Sequence, residues 1–315
     1  MIRYFISTET GLKENAASTG EKGEWIEMIS PTQEEFEAIA SAFHIEQTDL
    51  MAAIDPEEKN RIEIEENYSL ILVDLPATET RNNQETYTTI PLGILLTDKQ
   101  VITVCSEKNP VLELFETNAV KGFTTQKKQL FIFQIMHRNA MFYQKALRDI
   151  DKKRVEIEGR IDSVETPEDI LRLHELQSTL VYFDTSLRGI GLILSRIPRY
   201  KRLHEYPEDR DLLDDVVIEN QQAIEMTSIY KDIVDSTREL LSNVIDVKLN
   251  YVMKRLTSVT LILAIPTLIS GMYGMNVDDR WMPLAHTIHG FSIIGIITVI
   301  ICLILMWFLH KKKML

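Results

Sequence analysis

At 315 residues and 45% apolar side chains the chain can build a sizeable core, so disorder is excluded for most of its length. The formal net charge of −13 is uneven: positions 254–315 hold six Lys/Arg against two Asp/Glu, and positions 1–253 hold 28 against 45, a balance that repels nucleic acid and attracts cations. With two cysteines, Cys105 and Cys302, there is neither a disulfide framework nor a Cys-based metal knot.

The opening MIRYFIS lacks the charged start, apolar stretch and cleavage site of a secretory signal, so the upstream domain is expected on the cytosolic side. Residues 1–122 read as a mixed α/β unit. Strand-like runs fall at Ile2–Ile6, Glu24–Ile29, Arg61–Glu65, Ser69–Leu75, Tyr87–Leu96 and Gln100–Cys105, with a hairpin around Thr97-Asp98-Lys99. Helical runs fall at Thr32–Phe43, Glu46–Ala53 and Pro110–Glu116. No glycine loop able to cradle phosphate is present, which argues against a nucleotide-driven pump. The seven His are scattered, and no nucleophile, base and oxyanion arrangement marks an enzyme.

Residues 123–206 read as antiparallel helices. The first runs from Thr124 to about Ser163, and the second opens on Thr166-Pro167-Glu168-Asp169, an N-cap followed by Pro and acids, and ends near Ile197 before Pro198. The acids Glu205, Glu208, Asp209, Asp211, Asp214 and Asp215 then crowd together, either as a solvated helix tip or as a collector of cations near the membrane. From 207 to 273 neither Pro nor Gly intervenes between Pro207 and Pro266, and apolar pairs such as Leu212/Leu213, Val216/Val217 and Leu240/Leu241 recur near a 3.5-residue period. One helix from about Asp209 to Tyr273 is expected, on the order of 95 Å long at about 1.5 Å per residue.

Two stretches are long enough to cross a bilayer. The 22 residues between Arg255 and Asp278 carry no formal charge, and neither do the 20 from Gly290 to Leu309. The spans are placed at about 256–273 and 291–309, separated by a 274–290 loop and followed by a basic tail, 310–315. Lys254 and Arg255 before the first span and Lys311, Lys312 and Lys313 after the second put both flanks in the cytosol. Trp281 and Trp307 fall where an aromatic belt would lie.

The second span is bulky and apolar and suits lipid. The first differs: Asn250, Met253, Thr257, Thr260, Ala264, Thr267, Gly271 and Gly274 alternate by three and four, a single row of small or weakly polar side chains. A packing seam would look the same, with Ser270 and Gly274 forming a small-xxx-small pair. The functional alternative is a pore wall. Two spans cannot enclose water, so a pore would require a ring of identical subunits. Pro266 is compatible with a membrane helix if a neighbour satisfies the carbonyl it frees.

Tyr273-Gly274-Met275-Asn276 closes this span. In that position, Gly-Met-Asn resembles the signature of the CorA family of magnesium channels. The resemblance extends over Asp55-Pro56-Glu57-Glu58, Arg61-Ile62-Glu63, Pro91-Leu92-Gly93-Ile94, Tyr182 to Arg188, Val252 to Thr257 and Lys311 to Lys313. It implies a funnel-shaped homopentamer with an α+β cytosolic domain, a mixed sheet with flanking helices, then long helices and two C-terminal membrane helices. It further implies a plasma-membrane channel for Mg²⁺, with Co²⁺, Ni²⁺ or Zn²⁺ as alternative cargo, and a selectivity filter of Gly274, Met275 and Asn276. Leu256 joins the pore-facing set on the resemblance alone. The family is also thought to close when intracellular Mg²⁺ binds the cytosolic domains. A long-helix position that is aspartate in relatives is Ser242 here, so a sensor would need other acids, with Asp235, Glu239 and Asp246 the candidates. The outer loop departs as well, reading Met282-Pro283-Leu284-Ala285 with Asp278 and Asp279 nearby. The rival from another class is a membrane-anchored sensor or scaffold that conducts nothing.

Overall fold

The computed structural model describes residues 1–9, 11–81, 84–160, 167–200, 203, 210–276, 282–284, 287–312 and 314. Several residues named above lie outside them: Ser163, Thr166, Glu205, Pro207, Glu208, Asp209, Asp278, Asp279, Trp281, Ala285 and Lys313. The chain divides into two compact units, Met1–Arg238 and Glu239–Leu315.

The first unit is built on seven strands, β1 (Ile2–Thr8), β2 (Gly11–Asn15), β3 (Glu24–Ile29), β4 (Arg61–Ile64), β5 (Tyr68–Arg81), β6 (Gln84–Thr97) and β7 (Gln100–Cys105), in the order β2-β1-β3-β7-β6-β5-β4. Only the β3–β7 pair is parallel, so the sheet is mixed. The central strand β7, QVITVC, is buried along its whole length because helices cover both faces. On one face α1 (Gln33–Phe43) and α2 (Gln47–Ala52) pack Phe36, Ile39 and Leu50 onto Ile26, Leu72, Leu95 and Ile102. α1 starts on a capping box in which Thr32 and Glu35 bond each other's backbone N–H. Gly93 is required here, since a Cβ would lie 2.5 Å from that of Ala53.

On the other side Trp25 stacks on Phe5 at 4.8 Å, meets Phe131 edge-on at 5.1 Å and donates its indole N–H to Thr103 Oγ1 at 2.9 Å. Phe131 belongs to α4 (Lys128–Glu158), and α3 (Pro110–Glu116) adds Phe115 to the cluster. α4 starts four residues later than its sequence pattern indicates. Thr125 exchanges two hydrogen bonds with Ser7, each 2.9 Å, which fasten this stretch to β1 and keep it out of the helix. α5 (Pro167–Arg196) begins on its proline and passes into a 3-10 turn at Ile197–Arg199.

Asp74 of β5 is the polar knot of this unit. Its carboxylate accepts from the Ser186 hydroxyl of α5 and from Asn60 Nδ2 at 3.0 Å, while its carbonyl accepts from Asn139 Nδ2 at 2.8 Å and Tyr143 Oη at 3.2 Å on α4. Burial pushes the Asp74 carboxyl upward, with the Ser186 and Asn60 bonds opposing that shift.

A second buried carboxyl sits at the other edge. Arg3 of β1 bonds Glu14, Glu27 and Glu116, and the Oε1 atoms of both Glu27 and Glu116 have no protein partner among the described residues. Burial, and then the nearby Glu116 carboxylate, raise Glu27 from the ordinary 4.5 to about 8, against the pull of Arg3 and Lys108. The folded state therefore holds a proton that the unfolded chain releases. Stability is greatest below about pH 4.5 as far as this group is concerned, and falls as pH rises through about 8. Glu27→Gln, which keeps the donor and loses the charge, is expected to melt higher than the parent at pH 9, by an amount worth on the order of 1–3 kcal/mol, and to converge with it near pH 5. Parallel melting curves across that range would show that Glu27 is ionised in the folded protein.

Candidate functional site

α6 (Arg210–Tyr273) is one uninterrupted helix of 64 residues, and α7 (Gly290–Lys311) follows the outer segment. Both contain stretches long and apolar enough to cross a membrane.

Within the second unit, α6 presents two different faces. Toward α7 and the chain end it turns Ser258, Ile262, Ile265, Pro266, Ile269 and Tyr273. Ser258 is fully buried and donates its hydroxyl to Met314 O at 2.9 Å, Ile262 O accepts from Cys302 Sγ at 3.8 Å, and Tyr273 Oη donates to Pro283 O at 2.7 Å. The row of Asn250, Met253, Leu256, Thr257, Thr260, Ala264, Thr267, Gly271 and Gly274 is exposed throughout. At about 100° per residue the row is centred about 175° round the helix from the α7-facing set. Apart from Gly274, which with Ser270 borders the cleft against α7, the residues of the row are thus not what joins the two spans of one chain. Leu263 on one flank and Leu268 and Leu261 on the other border the row with bulk.

The row has a defined hydrogen-bond polarity. Thr257, Thr260 and Thr267 donate to the carbonyls of Met253, Leu256 and Leu263, four residues back, at 2.8, 2.8 and 2.9 Å. Each hydroxyl hydrogen is committed to the backbone, which leaves oxygen lone pairs pointing away from the helix as acceptors. Such a surface suits a ligand that arrives as a donor of O–H groups.

At the outer end the helix stops at Tyr273. Gly274 N–H bonds Ser270 O at 2.9 Å, Met275 N–H bonds Met272 O, and Asn276 follows as an exposed amide. The return to α7 is tight. Leu284 adopts φ 64°, and its carbonyl accepts from Thr287 N–H at 3.2 Å and Thr287 Oγ1 at 2.9 Å. A Cβ on Gly290 would lie 2.2 Å from that same carbonyl oxygen.

Of the candidate regulatory acids, Glu239 and Asp246 are exposed and, with Ser242, continue the Asn250 row by helical register. Asp235 is half-buried and engaged: Gln177 Nε2 donates to it at 2.6 Å, and Arg238 bonds the same Gln177. Among the described residues no three His, Cys, Asp or Glu converge on a metal position within one chain. Three contacts of this site are not visible from spacing: the Cys302 bond to Ile262, the Ser258 clamp and the Tyr273–Pro283 tie. Each joins residues at least ten apart, and only the apolar company of Cys302 and the lone proline in the span hint at any of them.

Comparison with known proteins bears on the family and the fold. The family model described as CorA-like Mg²⁺ transporter protein matches residues 20–312. The cobalt/magnesium transport protein CorA of Methanocaldococcus jannaschii is 27% identical over 91% of this chain and 90% of its own length. The magnesium transport protein CorA of Helicobacter pylori is 25% identical over 92% and 89%. The complete structure of the M. jannaschii magnesium transporter CorA superposes with a TM-score of 0.80 at 24% identity, covering 98% of this chain and 96% of that one.

The crowding at Gly290 yields a direct expectation. Gly290→Ala must displace the Leu284 carbonyl and is expected to reduce transport severely, at least about tenfold, as a small misplacement near a working site does. Gly295→Ala, in the same helix with nothing within 4 Å, is the control and is expected to be neutral. Equal uptake by both variants in a liposome assay would show that the outer turn does not shape the mouth.

Proposed function

This chain belongs to the CorA-like Mg²⁺ transporter protein family, and from that premise we propose how its own residues carry the ion. It is a multi-pass protein of the cell membrane with its N-terminal domain on the cytoplasmic side, and its activity is transport of Mg²⁺. Cobalt is the natural second cargo, since the M. jannaschii relative is named for both ions; Ni²⁺ is a further candidate of similar charge.

The proposed assembly is a homopentamer with five copies of α6 around an axis, each turning its polar row inward and its Ile262–Ile269 face outward to α7. The observation that carries this reading is the opposition of those two faces on one helix. Mg²⁺ gives up its waters reluctantly. A row of committed threonine hydroxyls offers acceptors to the hydrogens of those waters and no charge that would hold the ion. Asn276 stands at the outer mouth, where five amide oxygens would select the hydrated ion with Gly274 and Met275 shaping the ring. Thr267, Thr260 and Asn250 relay it inward, and Met253 and Leu256, both more than half exposed in the single chain, form the apolar constriction that closes the path when dry. The membrane potential supplies the drive, about 4.6 kcal/mol per 100 mV for a divalent ion.

Gating by intracellular cation is placed on the cytoplasmic part of α6. Glu239 and Asp246, five copies of each, would be drawn together by bound Mg²⁺, and Asp235 would join only by leaving Gln177. Removing the cation lets the carboxylates repel and the constriction widen.

Two measurements test the scheme. Asn276→Ala is expected to abolish Mg²⁺ uptake while the assembly survives, and retained uptake would take Asn276 out of the filter. Thr260→Cys, Thr267→Cys and Gly271→Cys, with the reactivity of the parent chain's own thiols subtracted, are expected to react with aqueous thiol reagents, and Ile262→Cys and Ile269→Cys to resist them. The reverse pattern would make the row a packing seam.

A further inference from the structure

We propose that Cys302 is a positioning residue of the permeation path, its thiol supplying the hydrogen-bond donor that Pro266 removes from the first span. The inference rests on the reading of the polar row as the path.

Pro266 lies inside α6 and has no N–H, so the carbonyl of Ile262, four residues back, loses its partner within the helix. In a bilayer a carbonyl left in that state is costly, and a span tolerates proline only where something else satisfies it. Cys302 of α7 does so, its Sγ standing 3.8 Å from Ile262 O, a long but still bonding distance for a thiol donor. The choice of side chain follows from the behaviour of its neighbours. Thr257, Thr260, Thr267 and Thr298 and the Ser270 hydroxyl all donate to the carbonyl four residues back on their own helix. A hydroxyl at 302 would have the same option. A thiol is a weaker donor with a longer bond and can reach across to α7's neighbour instead.

The location gives the bond its consequence. Ile262 lies between Thr260 and Ala264, and Pro266 directly precedes Thr267, so the break in the ladder falls in the middle of the polar row. A helix opened at one carbonyl bends about that point. By pinning this carbonyl to α7, Cys302 fixes how far the row on the opposite face leans toward the axis. It touches no ion; it acts through the angle of α6.

The test is a cycle between Cys302 and Pro266. In liposomes, Cys302→Ala and the better-filling Cys302→Val are both expected to lower maximal Mg²⁺ flux about three- to tenfold, the range an interhelical bond in a membrane supports, with half-saturation unchanged. In a Pro266→Ala background the new amide N–H satisfies Ile262, and the same substitutions at 302 are expected to change flux little. Independently of transport, the S–H stretching band assigned to Cys302 by difference from Cys302→Ala should move toward the free-thiol position when Pro266→Ala is introduced. A band that does not move, a loss of flux equal in both backgrounds, or a loss with Ala but not with Val would each overturn the proposal, the last by assigning the effect to a cavity. If the band moves but no variant alters flux, Cys302 does not position the path. Should the cysteine labelling of the row fail while the band still moves, the error lies in the permeation reading and not in the bond.

Discussion

The path proposed along α6 answers one constraint: a magnesium ion keeps its water, and that water must be met by acceptors in a place where lipid offers none. A carboxylate would meet it too strongly and an aliphatic wall not at all. The chain's answer is hydroxyl oxygen whose hydrogen is already given to the backbone. Thr257, Thr260 and Thr267 have no freedom to turn a donor outward, because each hydrogen is bonded to the carbonyl one turn behind. Toward the proposed path their chemistry would thereby be reduced to accepting, which is what the hydrogens of a hydrated cation require.

The same helix has to adhere to a neighbour on its other side, and the two demands are separated by register. Positions 258, 262, 265, 266 and 269 face α7 and are bulky or polar-bonded, whereas 257, 260, 264, 267 and 271 are small and open. Helical periodicity keeps these sets apart for the length of the span without any change in backbone. Proline sits on the adhering side, where a partner helix can repair the ladder, and not among the row residues, where only water and neighbouring copies of the same helix would be available.

Much of this was readable from spacing. The row alternating by three and four is a statement about side-chain direction on a helix, and a helix 64 residues long in the structure leaves no ambiguity of register. The strands of the soluble unit were readable where burial imposes apolar content, as in β7 and β3. They were not where it does not. β2, GLKEN, is a half-exposed edge strand held by pairing to β1, and the ends of β5 and β6 beyond Pro76 are threonine- and glutamate-rich and pair only with each other. Proline within β5 would argue against a strand, but β4 pairs β5 only from Ser69 to Leu72, so at Pro76 no N–H is missed on that edge. Ser186 and Asn60 carry no pattern at all. Their role comes from Asp74, a buried carboxyl that recruits donors from two other segments, and such convergence is a property of the folded chain.

The proposed path would also account for the way acids and neutral oxygens are divided along α6. Upstream, Glu239 and Asp246 are exposed, where a carboxylate costs little to keep charged and, on the proposed reading, would attract a cation. From Asn250 onward the row has no acid, and its polar members are amide and hydroxyl. A carboxylate at Thr260 or Thr267 would sit at a depth where burying its charge is expensive and where an arriving Mg²⁺ would repay that expense by staying bound. The ring of five would then be a site and not a passage. On the proposed reading, neutral acceptors along the span follow from the requirement of release as much as from the membrane, and the change from Asp246 to Asn250 marks where that requirement begins.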